Sequence, residues 1–280
     1  MIRGEVLMAR IDALPTLPEA AARLSALLGD ERATAADFER IIRPDPALTA
    51  NLLRAANSAF YRGVREITGV RDAVARMGVR RVYEVATSAS FRRVLPRVIP
   101  GYELAVGAFW PHSISAAVYS ERLARTTLVA PAELAYTAGL LHDVGKIVIG
   151  TCLAQAEAPT PKLALATVFS EREALGIDHA DVGEEIALRW RLPLPVGDAA
   201  RYHHEPSLAP EGSDRTLAAL IHVSDVLARR SGHAADPQSE APEYDPAALD
   251  LLRATSQGLE RLARDCEEEI RAMADLTQGD

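Results

Sequence analysis

The stretch GLLHDVGK, residues 139–146, sets His142 and Asp143 side by side and brings Lys146 in shortly after them. Six of the seven histidines fall between residues 112 and 222, in the phrases WPHS, LLHDVGK, GIDHADVG, RYHHEP and IHVSD, and acidic residues recur beside them. Imidazole nitrogen and carboxylate oxygen together make a donor mixture suited to iron, manganese, zinc or nickel. Two adjacent ions would need a bridging carboxylate and about three further donors each, and the chain holds enough. Spacing alone leaves two readings open. The donors converge on one site, or they are packed polar residues on separate helices.

The elements that must position these residues are helical. Asp45 is placed to cap a helix with Pro46 at its first position, and Leu48, Leu52 and Ala55 then mark one face. In ITGVRDAVARMGVRRVYEVATSASF, Val70, Val74 and Met77 mark another face, and Gly78 is a stop before a further helix. Asn57 and Ser58 are expected to end their helix and bond the following turn. Pro96, Pro100 and Gly101 break the pattern near residues 94–103. Helices are then expected around 108–125, 131–142, 164–175, 179–190, 196–204 and 214–229. A polar loop, RRSGHAADPQSEAPEYDP, leads to a last amphipathic helix with Leu252, Leu259, Leu262, Cys266 and Met273 on roughly one side. No stretch alternates as a strand would, so the expected fold is all-α.

The whole chain bounds its class. With 280 residues, 48% hydrophobic and 25% charged, it can bury a sizeable core. Aromatics are only 5%, so that core is aliphatic. A net charge of −8 argues against nucleic acid as a partner, because neutralising phosphates needs a basic face. Cys152 and Cys266 match no paired motif and read as free thiols. No signal peptide or membrane span stands out, and the expected location is the cytoplasm, with no membrane partner.

Two runs together resemble the HDOD family, an offshoot of the HD metal-phosphohydrolase superfamily. One is LPTLPEAAARL…IIRPDPALTANLLRAANSAFY followed by ITGVRDAVARMGVRRV. The other is HSISAA…LLHDVGK…GIDHADVGEEIALRWRLP…YHHEP…VSDVLA. The resemblance covers about residues 10–230. It implies an N-terminal helical subdomain over residues 1–100, an HD-like helical bundle over 101–230, and a loop with the C-terminal helix over 231–280. In HD enzymes the ligand order is a histidine, the HD doublet and a late aspartate, which His112, His142, Asp143 and Asp225 match. HD-GYP phosphodiesterases add a histidine and a His-His pair, matched by His179 and by His203 and His204. Lys146 matches the lysine of HDxGK, which contacts a substrate phosphate there. One or two divalent ions are therefore implied, with iron or manganese favoured. HHEPSLAPEGSDRT lacks the glycine-tyrosine-proline signature of HD-GYP enzymes, which takes cyclic-dinucleotide hydrolysis out of the expectation.

Each residue also has a plainer reading. His142 and Asp143 could close a buried helix, although both would then need buried partners. Given the resemblance, Asp143 is the natural bridging carboxylate. His179 could simply sit beside the cap Asp178. His203 and His204 are ~100° apart on an ideal helix and reach one site together only at a helix end or bend. His222 is expected in the core or just behind the donors, and His233 in solvent. Three functions follow: a signalling or regulatory protein with a metal-binding HD site, whose partner is a regulatory protein or a small phosphorylated ligand; a metal-dependent phosphohydrolase; and a DNA-binding regulator built on GVRDAVARMGVRRVYEV.

Overall fold

In the computed structural model, which describes residues 19–27, 32–61, 63, 65–102, 104–154, 167–234 and 242–275, the described residues form helices and no strand. The chain divides into two compact units.

One unit takes residues 16–94 and 264–280. It contains α1 (Glu19–Ser25), α2 (Ala35–Ile42), α3 (Pro46–Ala56) and α4 (Val70–Arg92). Asp45 caps α3 by accepting from the Leu48 amide at 3.0 Å, with Pro46 in the first turn. Leu48, Leu52 and Ala55 are wholly buried on the expected face, each large side chain contributing about 1.5–3 kcal/mol. Asn57 ends α3. Its amide donates to Leu53 and Ile67 carbonyls, and its oxygen accepts from the Ile67 amide at 2.8 Å. Gly78 has φ +80° and splits α4 into two helical pieces, a backbone state that a Cβ disfavours. From Val82 to Phe91 every residue of α4 is buried. Its exposed or half-buried residues are Val79, Arg80 and Arg81 at the start of this piece and Arg92 at its end, so the stretch between them offers no face to a DNA groove. Inside this unit Glu84 takes both Arg80 and Arg81 at 2.6 and 2.7 Å, and Arg81 also pairs with Glu269.

The other unit takes residues 1–15 and 95–263. Its helices are α5 (Phe109–Thr127), α6 (Ala132–Leu141), α7 (Val144–Ala154), α8 (Val168–Leu175), α9 (His179–Arg189), α10 (Leu194–Tyr202), α11 (Arg215–Ala228) and α12 (Pro246–Leu252). Helix α5 packs on α6 and α11, α9 packs on α7 and α10, and α10 packs on α11. Residues 155–166, which include the expected start of the 164–175 helix, lie outside the described set. The stretch Ala132–Ala154 is long and apolar enough to cross a membrane by length and composition, yet 89% of its apolar window is buried inside the protein.

The final helix, α13 (Ser256–Asp275), begins in this unit and ends in the other. Leu259, Cys266 and Met273 are buried as the stripe requires, whereas Leu262 is only half-buried. Leu252 belongs to α12 instead, because Arg253 at φ +51° ends that helix. Both cysteines are buried and neither is in a disulfide.

Candidate metal centre

The seven histidines and aspartates singled out above are drawn from widely separated segments, and the fold gathers their donor atoms into two neighbouring groups. Asp143, His179, His203 and His204 form one, and His112, His142 and Asp225 the other, the atoms within each lying within 4.8 Å of one another. Six of these residues are buried and His204 is half-buried.

Local structure explains how each arrives. His112 sits in the first turn of α5, and His142 caps the C-terminus of α6. Asp143 follows in the break before α7. His179 is the first residue of α9, just after its cap Asp178, which accepts from the Asp181 amide at 2.8 Å. Helix α10 ends at Tyr202, so His203 is its C-cap and His204 lies in the turn beyond. That helix end is what lets adjacent histidines face one group. Asp225 comes from the interior of α11.

Asp143 touches both groups. Its Oδ1 lies 3.2 Å from His179 Nε2 and 3.8 Å from His203 Nε2. Its Oδ2 lies 3.7 Å from His112 Nε2 and 3.6 Å from His142 Nε2, and accepts from Lys146 Nζ at 2.6 Å. Burial raises the Asp143 carboxyl's pKa, but Lys146 and the imidazoles outweigh it and hold the carboxyl well below its usual range. Asp225 behaves alike: burial opposes ionisation, Arg229 Nε at 3.0 Å favours it, and the net shift is well downward.

Tautomers test the fit to a cation. Carbonyl oxygens only accept, so His112 Nδ1 donates to His233 O, His142 Nδ1 to Gly139 O, and His203 Nδ1 to Ala200 O, at 2.8–3.0 Å. In each neutral ring the lone pair is then on Nε2, facing inward. His112 Nε2 and His142 Nε2 are 3.3 Å apart, and Asp225 Oδ1 is 3.1 Å from the former. Three electron pairs facing one another repel unless a cation sits among them. Asp143 Oδ1 and His203 Nε2 are buried and make no hydrogen bond, an unfavourable state that ligation relieves. Burial pushes His112 down, and pushes His203 and His204 well down, with neighbouring imidazoles adding to it, which keeps these rings neutral as ligands must be. The residues present fit a divalent metal.

Two residues behind the donors were not legible as such in the sequence. Glu171, on α8, accepts from the His179 backbone amide at 2.6 Å and from its Nδ1 at 2.8 Å. Burial and Lys146 lower the His179 pKa, but Glu171 and Asp143 raise it by more. His233 is half-buried rather than solvated, and its carbonyl holds His112. His222 sits where expected, behind the donors, with Nδ1 donating to His203 O at 2.8 Å and Nε2 accepting from the Asp245 amide at 3.0 Å.

A helical bundle that converges histidines and aspartates on one buried cluster defines an HD-type protein. The chain belongs to the HDOD domain family, whose model matches residues 14–206. It is 28% identical over 215 residues to an uncharacterised protein of Treponema pallidum (strain Nichols), covering 72% of this chain and 40% of that relative. This chain thus spans well under half the length of that curated relative. Among solved structures it resembles a provisionally named signal transduction protein from Marinobacter aquaeolei VT8, at TM-score 0.74 and 24% identity over 100% of this chain and 62% of that one. It also resembles a provisionally named phosphohydrolase from Shewanella amazonensis SB2B, at TM-score 0.70 and 22% identity over 97% of each chain. At such identities the structural likeness establishes the fold.

Proposed function

We propose that this HDOD protein is a metal-dependent phosphohydrolase, with two divalent ions held by the two donor groups and a phosphate ester as substrate. The observation that carries the reading is Asp143, which presents one carboxylate oxygen to each group. A carboxylate so placed is what a shared pair of ions needs as its bridge. Bound there, two divalent ions supply Lewis acidity that acidifies water and neutralises phosphate charge.

The chain's own residues do the rest. His112, His142 and Asp225 would hold one ion, His179, His203 and His204 would hold the other, and Asp143 would serve both. Lys146, whose ammonium lies 2.6 Å from Asp143 Oδ2 with the side chain 11% exposed, would offer its charge to a phosphate oxygen. Arg229 braces Asp225 from one turn further along. The name of the Shewanella neighbour agrees with this reading, and the name of the Marinobacter neighbour supports the alternative of a regulatory module that keeps the metal as scaffold.

One experiment separates them. The protein, purified without chelator, is analysed for metal by inductively coupled plasma mass spectrometry and assayed on bis-(p-nitrophenyl) phosphate and p-nitrophenyl phosphate with added Mn2+. About two equivalents of metal and turnover, both lost in Asp143→Ala, are expected. Two equivalents without turnover on any phosphate ester would favour the regulatory module, and no metal would overturn the centre itself.

A further inference from the structure

The two donor groups are not equivalent, and Glu171 is the source of much of the difference. His112, His142 and His203 each give their Nδ1 proton to a neutral backbone carbonyl. His179 instead gives it to a carboxylate. Both Glu171 oxygens lie within 2.9 Å of that nitrogen, and one also takes the His179 backbone amide at 2.6 Å. Glu171 is 1% exposed, so its charge acts on the ring with little screening. A carboxylate behind a ligating imidazole fixes the ring and makes its other nitrogen a stronger donor.

Positive charge bears on the carboxylates that face the opposite group, while Lys146 also acts on His179. Lys146 binds Asp143 Oδ2, the oxygen that faces His112 and His142. Arg229 binds Asp225 Oδ1, the atom 3.1 Å from His112 Nε2. Both carboxylate oxygens on that side are therefore shared with a cation.

We propose that Glu171 is a positioning residue that makes the Asp143–His179–His203–His204 group the tighter half of the centre, so that the first divalent ion enters there and the His112–His142–Asp225 group fills second. This rests on the two-metal reading above and goes beyond it by ordering the sites.

The test is calorimetric titration of the metal-stripped protein with Mn2+, with free Mn2+ followed in parallel by electron paramagnetic resonance. Wild type should take up Mn2+ in two resolved steps. Glu171→Gln, which keeps the size and an acceptor but removes the charge, should weaken the first step by about 10–100-fold and leave the second in place. His179→Ala should abolish the tighter step, and His142→Ala the weaker one. Circular dichroism checks that each variant is folded. If Glu171→Gln is not folded, Glu171→Asp, which keeps the charge but withdraws it from the ring, should show the same selective weakening. An unchanged first step in a folded variant, or weakening confined to the second, overturns the ordering while leaving the two-metal reading intact. No Mn2+ uptake by wild type overturns both.

Discussion

Asp45 shows how much one side chain contributes in this chain. Its Oδ1 caps α3 through the Leu48 amide, and its two oxygens take Arg93 at 2.6 and 2.8 Å. The Arg93 hydrogen bond, against a smaller opposing effect of burial, pulls its pKa down to about 2. Asp45→Ala loses cap and pair together, which should cost about 1–2 kcal/mol. Asp45→Asn keeps a capping oxygen and should cost only about 0.2–1 kcal/mol. The folded carboxyl titrates below its unfolded value of 3.8, so its stabilisation is complete above that value and disappears as pH falls towards 2. Urea unfolding of wild type and Asp45→Asn at a series of pH values checks this. The gap should be constant from pH 7 to about 5 and close below 4, and a gap that persists at pH 2 would show that ionisation is not its cause.

At the scale of elements, the glycine of HDVGK is explained by packing. A Cβ at Gly145 would run into the His179 carbonyl oxygen, and would stand 3.0 Å from the Gly183 amide nitrogen, so α7 approaches α9 closely here because residue 145 has no side chain. Gly139 is similar, with Ser120 Oγ at 2.6 Å and the Ala116 carbonyl at 2.7 Å from a built Cβ. Gly145→Ala should therefore destabilise the protein by about 1–3 kcal/mol as an overpacked contact. It should also displace His179 and weaken metal retention, because the obstructing atom is that residue's own carbonyl. Thermal melts together with metal analysis decide the matter, and a variant with wild-type melting and metal content would rule out the close approach. The same contrast separates what the sequence told from what it did not. Caps and amphipathic faces were readable: Asp45, Asp178, Gly78 and the α3 face lie where their chemistry puts them. Helix α7 was not, because Val144–Leu153 is buried except at Thr151 and leaves no stripe to detect. His203 and His204 could be joined only conditionally, since the condition was where α10 stops. Glu171 carried no signal of its own. Seven residues and a turn at Gly176, φ +76°, separate it from His179, and only folding brings the carboxylate to the ring's Nδ1.

At the scale of the whole molecule, the donors run from residue 112 to residue 225 and come from separate helices and helix ends. An unfolded chain does not hold them together, so a divalent ion binds the folded state and stabilises it by mass action. At a free concentration 100 times its dissociation constant, each ion adds about 2.7 kcal/mol. Both sites lie in the unit formed by residues 95–263, and for a unit of this size each kcal/mol raises the melting midpoint by about 2–4 °C. Two filled sites should therefore raise the midpoint by ten degrees or more over protein stripped with chelator. Part of the gain is relief from opposition within the cluster, where the inward-facing Nε2 atoms and carboxylates repel until a cation joins them. In Asp143→Ala the bridge is gone and the melting midpoint should no longer respond to Mn2+. Hydrogen exchange locates the effect: the amides around His142, His179, His203 and Asp225 should gain protection on Mn2+ addition, and those of α2 and α3 should serve as the unchanged reference. A midpoint indifferent to Mn2+ in the wild-type protein would mean that these donors are held in place by packing and their hydrogen bonds alone, and that the cluster is an inherited scaffold rather than a working centre.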